Sequence, residues 1–202
     1  MAEFILRDPT QANFWDERFE KKFMPWDKGG VPQKFSDFVQ AQHHVLHCLI
    51  PGCGNGYEVA SLAQAGWHVT AIDFSPAAVQ HAQQTLGPWA KHVVQADFFS
   101  YEPTCPLDVI YERAFFCALP PELRQSIIDR WAYLLPTNAL LAGYFFFDDS
   151  ENASKKGPPF SIHSQLWREM MSVHFEQIED SPVLDSIPVF SGKERWQVWR
   201  RC

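Results

Sequence analysis

The sequence of 202 residues is long enough for one α/β domain, residues 1–202, and leaves little room for a second. Hydrophobic residues make up 46% of the chain and charged residues 20%, the balance of an ordinary globular protein. The formal net charge of −7, with only short and scattered basic pairs, argues against a surface that binds nucleic acid or an anionic membrane.

The first predicted element is a helix over residues 13–22, on which Phe14, Trp15 and Phe19 share one side. Rings at helical spacing usually lie in a core, and a ring-lined ligand site is the alternative interpretation. We expect residues 10–43 to form N-terminal aromatic helices that act as a lid.

Strand-like and helix-like segments alternate over residues 44–147, the predicted sheet core. Strands are expected at residues 45–50, 67–72, 92–96, 107–111 and 138–147, with helices at residues 57–65, 76–86 and 121–135. Ser75 and Pro76 are a typical N-cap and first helical residue. This alternation predicts right-handed crossovers and a doubly wound, mostly parallel sheet.

The last part of the chain, residues 148–202, departs from that alternation. Residues 148–160 are polar and include Gly157, Pro158 and Pro159, which predicts a lid loop. A helix over residues 163–171 follows, and then strands at 173–178 and 195–200, which we expect to form an antiparallel pair at the sheet edge.

The cysteines and histidines predict neither disulfides nor a metal site. Five cysteines without regular spacing, and no apparent signal peptide, indicate a reduced, cytoplasmic protein. No stretch is long and apolar enough to cross a membrane. His43, His44 and His47 lack matching Cys or carboxylate spacing, so we expect no metal. We also expect a monomer.

A glycine-rich turn follows the first predicted strand. Gly52, Gly54 and Gly56 stand between that strand and a helix, where a turn without Cβ atoms lets the backbone approach a ligand closely. Asp73 ends the second strand, 21 residues after Gly52. A carboxylate at this place accepts both hydroxyls of a ribose, so the pattern predicts a nucleoside site.

A dinucleotide is excluded as the ligand of this turn. The dinucleotide fingerprint places its third glycine at position 57, which is Tyr57 here. A nicotinamide-dependent oxidoreductase is therefore the weaker interpretation.

Four stretches resemble a known family of enzymes. Residues 49–58 (LIPGCGNGYE) resemble the first motif of class I S-adenosylmethionine methyltransferases. Residues 14–19 (FWDERF), 24–27 (MPWD) and 111–121 (YERAFFCALPP) resemble, more narrowly, the thiopurine and thiol S-methyltransferase family. The resemblance implies a Rossmann-like fold with a seven-stranded, mostly parallel sheet and an antiparallel edge strand. It also implies S-adenosyl-L-methionine as cofactor, S-adenosyl-L-homocysteine as product, and no metal.

The resemblance assigns cofactor contacts to particular residues. It places Asp97 at the adenine amino group and Phe98 against the base, although a helix cap and a core ring are the alternative. It also implies that Phe19 and Trp26 close over cofactor and substrate; family members often have Trp where Phe19 stands. Aromatic faces attract cations, which suits the cofactor's sulfonium. The predicted cofactor site further includes the residues Trp15, Gly52, Gly54, Asp73 and Phe74.

Glu112 and Arg113 end the fourth predicted strand, beside the first. The resemblance implies that Arg113 lines the active site, and we expect it to position the acceptor and to raise its thiolate fraction electrostatically. Glu112 is predicted to hold the cofactor's ammonium group. A purely structural Glu112–Arg113 pair is the alternative, because an unpaired buried charge is costly. Cys53 is interpreted as packing and not as a nucleophile.

The predicted function is S-methylation of a small, soft thiol or thiopurine-like acceptor by in-line displacement, with selenium or tellurium oxyanions as a neighbouring possibility. A thiol has a reference pKa of about 8.5 and needs no dedicated base. Two alternatives stay open: a small-molecule O- or N-methyltransferase of the same class, and a non-catalytic cofactor-binding regulator.

Overall fold

The computed structural model describes residues 4–202 and has a seven-stranded sheet at its centre. The strands are β1 His47–Pro51, β2 His68–Asp73, β3 Val93–Gln95, β4 Val109–Arg113, β5 Leu140–Phe146, β6 Phe175–Pro182 and β7 Glu194–Arg201. Their order is β3-β2-β1-β4-β5-β7-β6. Strands β1 to β5 pair in parallel, whereas β7 is antiparallel to both β5 and β6. The predicted mostly parallel sheet with an antiparallel pair at one edge is confirmed.

Two of the α-helices among the described residues precede β1, and the other four follow strands at the predicted places. Within residues 4–202 they are α1 Ala12–Glu20, α2 Gln33–Gln40, α3 Tyr57–Gln64, α4 Pro76–Leu86, α5 Arg124–Leu134 and α6 Ser164–Met171. The start of α4 is the predicted one: Pro76 is its first residue, and the Ser75 hydroxyl accepts a hydrogen bond from the Ala78 N–H at 3.1 Å.

Apolar side chains cover both faces of the sheet, as a parallel sheet requires. On one face, α5 and α6 contribute Trp131 and Trp167, both fully buried. On the other face, α2, α3 and α4 contribute Phe35, Leu62 and Ala82. Helices therefore pack on both faces of the sheet, and the loops at the carboxyl ends of its strands start from well-packed positions.

Several element boundaries differ from the predicted ones. Strand β1 begins at His47, because Val45 is exposed and pairs with no neighbouring strand. Strand β4 runs on to Arg113, since its pairing with β5 continues to Arg113 and Tyr144. Helix α2, whose limits the sequence did not indicate, packs on the sheet core. Pro121 begins a short 3-10 turn that precedes α5.

Residues 4–202 show neither a membrane-spanning helix nor a metal-binding group. None of the helices there has the length and apolarity needed to cross a bilayer. The same residues contain no group of three or more His, Cys, Asp or Glu side chains able to hold a metal ion. His47 instead has its Nδ1 2.9 Å from the Sγ of Cys105.

Candidate active site

A cavity of about 420 Å³ lies at the carboxyl ends of the parallel strands. Open α/β sheets bind their ligands at this place, where the strand order reverses. Here the reversal lies between β1 and β4. The predicted site residues in its wall are Trp15, Phe19, Trp26, Gly52, Gly54, Asp73, Phe74, Asp97, Phe98 and Arg113. Glu112 does not line the cavity.

The glycine-rich turn has the backbone that only glycine adopts without strain. The φ angles of Gly52 and Gly54 are +58° and +52°, both in the left-handed region. A Cβ on Gly52 would meet the Phe115 ring at 2.6 Å. Gly52 is therefore required both by its own conformation and by the loop that follows β4.

Asp73 ends β2 beside this turn and holds the two loops together. Its carboxylate accepts hydrogen bonds from the Gly54 N–H at 3.2 Å and the Ser75 N–H at 3.0 Å. Burial raises the pKa of Asp73 to about 6, although these hydrogen bonds oppose the shift. The carboxylate is fixed in the cavity wall, where it can accept hydrogen bonds from a ligand.

Asp97 and Phe98 lie at the next loop along the sheet. The Asp97 carboxylate accepts a hydrogen bond from the Phe99 N–H at 2.9 Å. Phe98 is buried and packs edge-on against Phe115, with ring centroids 5.0 Å apart. Both residues line the cavity, so the core and ligand interpretations of Phe98 are compatible.

An aromatic wall, formed by Trp15, Phe19 and Trp26, closes one side of the cavity. The ring centroids of Trp15 and Trp26 are 5.5 Å apart, and those of Phe19 and Trp26 are 6.3 Å apart. Helix α1 is attached to α4 by Asp16, whose carboxylate accepts hydrogen bonds from the Ser75 hydroxyl at 2.6 Å and the Ala77 N–H at 3.0 Å. A carboxylate is favourable there because it faces a helix N-terminus.

Asp27 connects the aromatic wall to the glycine-rich turn, a role that the sequence did not indicate. Its carboxylate accepts hydrogen bonds from the Asn55 amide at 2.7 Å and the Tyr57 hydroxyl at 3.2 Å. All three residues line the cavity. The position of Trp26 is therefore coupled to the turn through its neighbour in the chain.

Glu112 is directed away from the cavity. Its Oε1 accepts hydrogen bonds from the backbone N–H groups of Phe115 at 2.9 Å and Phe116 at 2.8 Å. Its Oε2 is buried without a hydrogen-bond partner among the described residues. Burial raises the pKa of Glu112 to about 8, so the carboxyl is mostly protonated at neutral pH. The observed role of Glu112 is to fix the loop after β4, and its predicted ammonium contact stays a prediction.

Replacing Glu112 by glutamine is expected to remove a pH dependence of stability. The folded-state pKa of Glu112, about 8, exceeds its ordinary value of 4.5. The contribution of Glu112 to the free energy of unfolding is therefore fully present below about pH 4.5 and is lost as the pH rises to 8. Between pH 5 and pH 8 the wild type should lose on the order of 4 kcal/mol relative to the variant, which does not titrate. Urea unfolding at both pH values measures this change; an unchanged difference between the two proteins would contradict it.

Arg113 pairs with Glu58 and not with Glu112. The Arg113 Nη1 lies 3.8 Å from the Glu58 Oε1, and the guanidinium is 5.2 Å from the centroid of the Tyr144 ring. Glu58 is the second residue of α3 and also lines the cavity. The sequence signal that was missed is an acidic residue in the first turn of the helix after a glycine-rich turn.

Comparison with known proteins identifies the family. Residues 10–202 match the family model described as thiopurine S-methyltransferase (TPMT). The chain belongs to the thiopurine S-methyltransferase family. It is an S-adenosylmethionine-dependent methyltransferase, as its resemblance to that family implied.

Named relatives agree with this family, and a solved structure agrees with the fold. The chain is 29% identical over 206 residues to thiocyanate methyltransferase 1 of Arabidopsis thaliana, which covers 98% of this chain and 88% of the relative. It is 26% identical over 204 residues to the thiopurine S-methyltransferase of Xanthomonas axonopodis pv. citri (strain 306), which covers 89% and 91%. The fold matches magnesium protoporphyrin IX methyltransferase from Synechocystis PCC 6803 with bound cofactor, at a TM-score of 0.75 and 16% identity over the whole of both chains.

The cavity of this thiopurine S-methyltransferase family member has the features its cofactor needs. The glycine-rich turn lets the ligand approach the backbone closely. A Cβ on Gly54 would lie 3.8 Å from the Phe19 ring and would occupy the space between this ring and the turn. Asp73 offers a fixed carboxylate to a ribose diol, and the aromatic wall offers ring faces to a sulfonium. The residues present therefore fit S-adenosylmethionine.

Proposed function

We propose that this enzyme methylates the sulfur of a small, soft thiol. The observation that supports a thiol is the composition of the cavity wall: among residues 4–202, no histidine lines it. Acceptors that react through oxygen or nitrogen generally need a positioned base, and histidine is the commonest. A thiol with a pKa of about 8.5 already supplies some thiolate at neutral pH without one.

The acceptor is proposed to bind at the apolar end of the cavity. Trp26, Phe190 and the buried Cys117 pack in one apolar cluster of the cavity wall, which we take as this end, and Pro158 and Pro159 also line the cavity. Apolar walls exclude water from the reacting sulfur and favour an acceptor with an aromatic or heterocyclic body. S-adenosylmethionine would fill much of a 420 Å³ cavity, so the space that remains suits a small acceptor.

The cofactor is proposed to be held by the residues that the sequence indicated. Asp73 accepts the ribose hydroxyls, Asp97 and Phe98 contact the adenine with Phe74 nearby, and the backbone at Gly52 and Gly54 faces the ligand. The rings of Trp15, Phe19 and Trp26 are proposed to lie over the sulfonium, an attraction of roughly 0.5–2 kcal/mol. When bound, S-adenosylmethionine supplies a methyl group on a cationic sulfur.

The contribution of the protein is mainly alignment. With S-adenosylmethionine bound, transfer of its methyl group to the acceptor sulfur would give a thioether and S-adenosylhomocysteine, and the thiol proton would go to solvent. Positioning of this kind can supply on the order of 7–11 kcal/mol of the barrier. The prediction that Arg113 raises the thiolate fraction stays a prediction, and the adjacent Glu58 offsets its charge.

The lid is proposed to consist of the segments whose side chains line the acceptor end. These are α1 with residues 23–28, and the part of loop 148–160 that carries Pro158 and Pro159. Lys28 forms an ion pair with Asp185, which joins the first segment to the chain before β7. The single-domain arrangement over residues 1–202, with a sheet core at 44–147 and the C-terminal part at 148–202, is part of the same proposal.

We further propose a cytoplasmic monomer whose partners are small molecules. The described cysteines are all free thiols, which is typical of a reducing compartment. The net charge of −7 disfavours association with nucleic acid or with anionic lipid.

The acceptor class is tested with radiolabelled S-adenosylmethionine and a panel of acceptors. Aromatic thiols, heterocyclic thiols and thiocyanate should take up label, whereas phenols and amines of matched shape should not. Added S-adenosylhomocysteine should suppress the labelling, because it competes for the same site. Turnover of only the oxygen or nitrogen acceptors would overturn the proposal, and no turnover of any acceptor together with cofactor binding would favour a regulator.

A further inference from the structure

We propose that a second cavity, between α6 and the antiparallel strand pair β6–β7, binds a small organic anion with one carboxylate and an apolar body. This edge cavity has a volume of about 320 Å³. Among the described residues, none lines both the edge cavity and the active-site cavity, so the inference does not depend on the proposed function. The residues of the edge cavity that carry the argument are Trp167, Arg168, Asp180, Arg195, Gln197 and Trp199.

A buried amide supplies one fixed donor to the edge cavity. The Gln197 Oε1 accepts hydrogen bonds from the Nε1 of Trp167 at 2.8 Å and from the Nε1 of Trp199 at 3.0 Å. Because an indole N–H can only donate, these contacts fix which end of the amide is the oxygen. Gln197 is 4% exposed, and its Nε2 donates no hydrogen bond within residues 4–202. A donor in so closed a place is costly to leave unpaired, which indicates a ligand or water oxygen beside it.

Two guanidinium groups line the same cavity with unused donors. The Arg195 Nε donates to the Asp180 Oδ1 at 2.6 Å, and the two Nη atoms of Arg195 have no hydrogen-bond partner within residues 4–202. Arg168 of α6 has neither an ion pair nor a side-chain hydrogen bond in that part of the chain. Planar guanidinium groups recognise carboxylates through parallel N–H donors. An anion in the edge cavity therefore meets donors from both α6 and β7.

The acidic residues of the edge cavity limit the charge of its ligand. Asp180 is paired with Arg195, and Asp149 accepts hydrogen bonds from the N–H and the hydroxyl of Ser164, both at 2.7 Å. With two arginines and two aspartates in its lining, the cavity has no net charge. A multiply charged phosphate would bring negative charge that the wall does not balance. A single carboxylate needs only the charge of Arg168 and leaves the Asp180–Arg195 pair in place.

Aromatic side chains form the apolar part of this wall. The ring centroids of Trp167 and Trp199 are 6.0 Å apart, and those of Phe147 and Trp167 are 6.3 Å apart. All three residues are buried in the same core cluster, so their positions are fixed by packing. Fixed rings beside a few polar groups are typical of sites that bind small organic molecules. The wall therefore suits a carboxylate on a small apolar body better than an inorganic anion.

The indole N–H signals of Trp167 and Trp199 report binding at the edge cavity directly. Nuclear magnetic resonance spectra are recorded on the full chain with isotope-labelled tryptophan, and each signal is assigned through its links to the backbone. Titration with benzoate or butyrate should shift both signals until they saturate. Benzamide and butyramide, which have the same shapes but no charge, should leave them in place. The titration requires no turnover and no bound cofactor.

Substitutions of Arg168 test the role of its free guanidinium. Arg168 is exposed on α6, so Arg168→Met should keep the fold, and it should weaken benzoate binding by about 10- to 100-fold. Arg168→Lys keeps the charge but not the planar fork, and should recover only part of the affinity. The matched control is Arg200→Met. Arg200 is an exposed arginine of β7 that pairs with Glu176 and does not line the edge cavity, so benzoate affinity should be unchanged.

Several results would overturn the inference. Benzoate and butyrate could leave the Trp167 and Trp199 signals unchanged, or Arg168→Met could bind them as tightly as the wild type. Equal shifts with the neutral amides would show that apolar contact alone is responsible. Tighter binding of inorganic phosphate, with the same dependence on Arg168, would assign the site to inorganic oxyanions instead. Shifts confined to Trp15 and Trp26 would place the carboxylate in the active-site cavity.

Discussion

Asp73→Ala is expected to lower the affinity for S-adenosylhomocysteine by about 100-fold or more. The carboxylate would accept two ribose hydroxyls, and hydrogen bonds to a charged group contribute roughly 1.5–3 kcal/mol each. The variant also loses the acceptor of the Gly54 and Ser75 N–H groups, which loosens the glycine-rich turn. Isothermal titration calorimetry of both proteins measures the change, and Asp37→Ala, on the exposed side of α2, serves as the control.

The same carboxylate should make cofactor binding depend on pH. Because burial raises the pKa of Asp73 to about 6, the free protein has a protonated carboxyl below that pH. Binding to a diol favours the ionised form, so affinity should fall as the pH drops below 6, approaching tenfold per pH unit. A wild-type affinity that stays constant from pH 7.5 to pH 5, or an Asp73→Ala protein with wild-type affinity, would contradict a ribose contact.

Gly52→Ala is expected to lower the free energy of unfolding by about 2–5 kcal/mol and to impair cofactor binding. The left-handed backbone costs a non-glycine residue roughly 1–2 kcal/mol, and overpacking costs about 1–3 kcal/mol more. The overpacking arises because the new methyl group would lie 2.6 Å from the Phe115 ring. The Phe115 ring has little freedom to move away, because it packs on Phe98. The backbone N–H of Phe115 also donates a hydrogen bond to Glu112, which fixes this residue further.

Gly66→Ala provides the matched control for this substitution. Gly66 has a φ of +83°, but a Cβ there would meet no atom within 4 Å. Its cost should therefore be backbone strain alone, about 1–2 kcal/mol, with cofactor affinity unchanged. Equal losses of stability in urea unfolding of the two variants would show that contact with Phe115 is not the cause.

The sheet was predictable because its signals are local. Apolar runs, the Ser75-Pro76 helix start and the glycine-rich turn each depend on a few neighbouring residues, and the structure has all of them. Helix α2 was harder to delimit, since its ends lack the usual signals: no side chain caps its N-terminus, and Ala41 rather than a glycine follows its last residue. Its position depends on packing against the sheet, which is not a local property.

The charged residues of the site show where sequence reasoning stops. Glu112 and Arg113 are adjacent in a strand, so their side chains point to opposite sides, and only Arg113 lines the cavity. Arg113 instead meets Glu58, which is 55 residues away in the chain. Asp27 likewise meets Asn55 and Tyr57 through contacts between distant segments. Such pairs follow from tertiary packing, and the spacing of residues in the sequence does not indicate them.

The hydrogen bonds from Ser75 and Ala77 to Asp16 connect the N-terminal helix to the proposed ribose site. The Ser75 backbone N–H donates a hydrogen bond to Asp73 and its hydroxyl donates one to Asp16, so a single residue connects the proposed ribose contact with the proposed lid helix. By thermodynamic linkage, docking of the helix strengthens ligand binding by the same free energy by which the ligand strengthens docking of the helix. Cleavage near α1, or a bulky N-terminal fusion that displaces it, would therefore lower the apparent affinity for the cofactor while every residue of the sheet core remained intact.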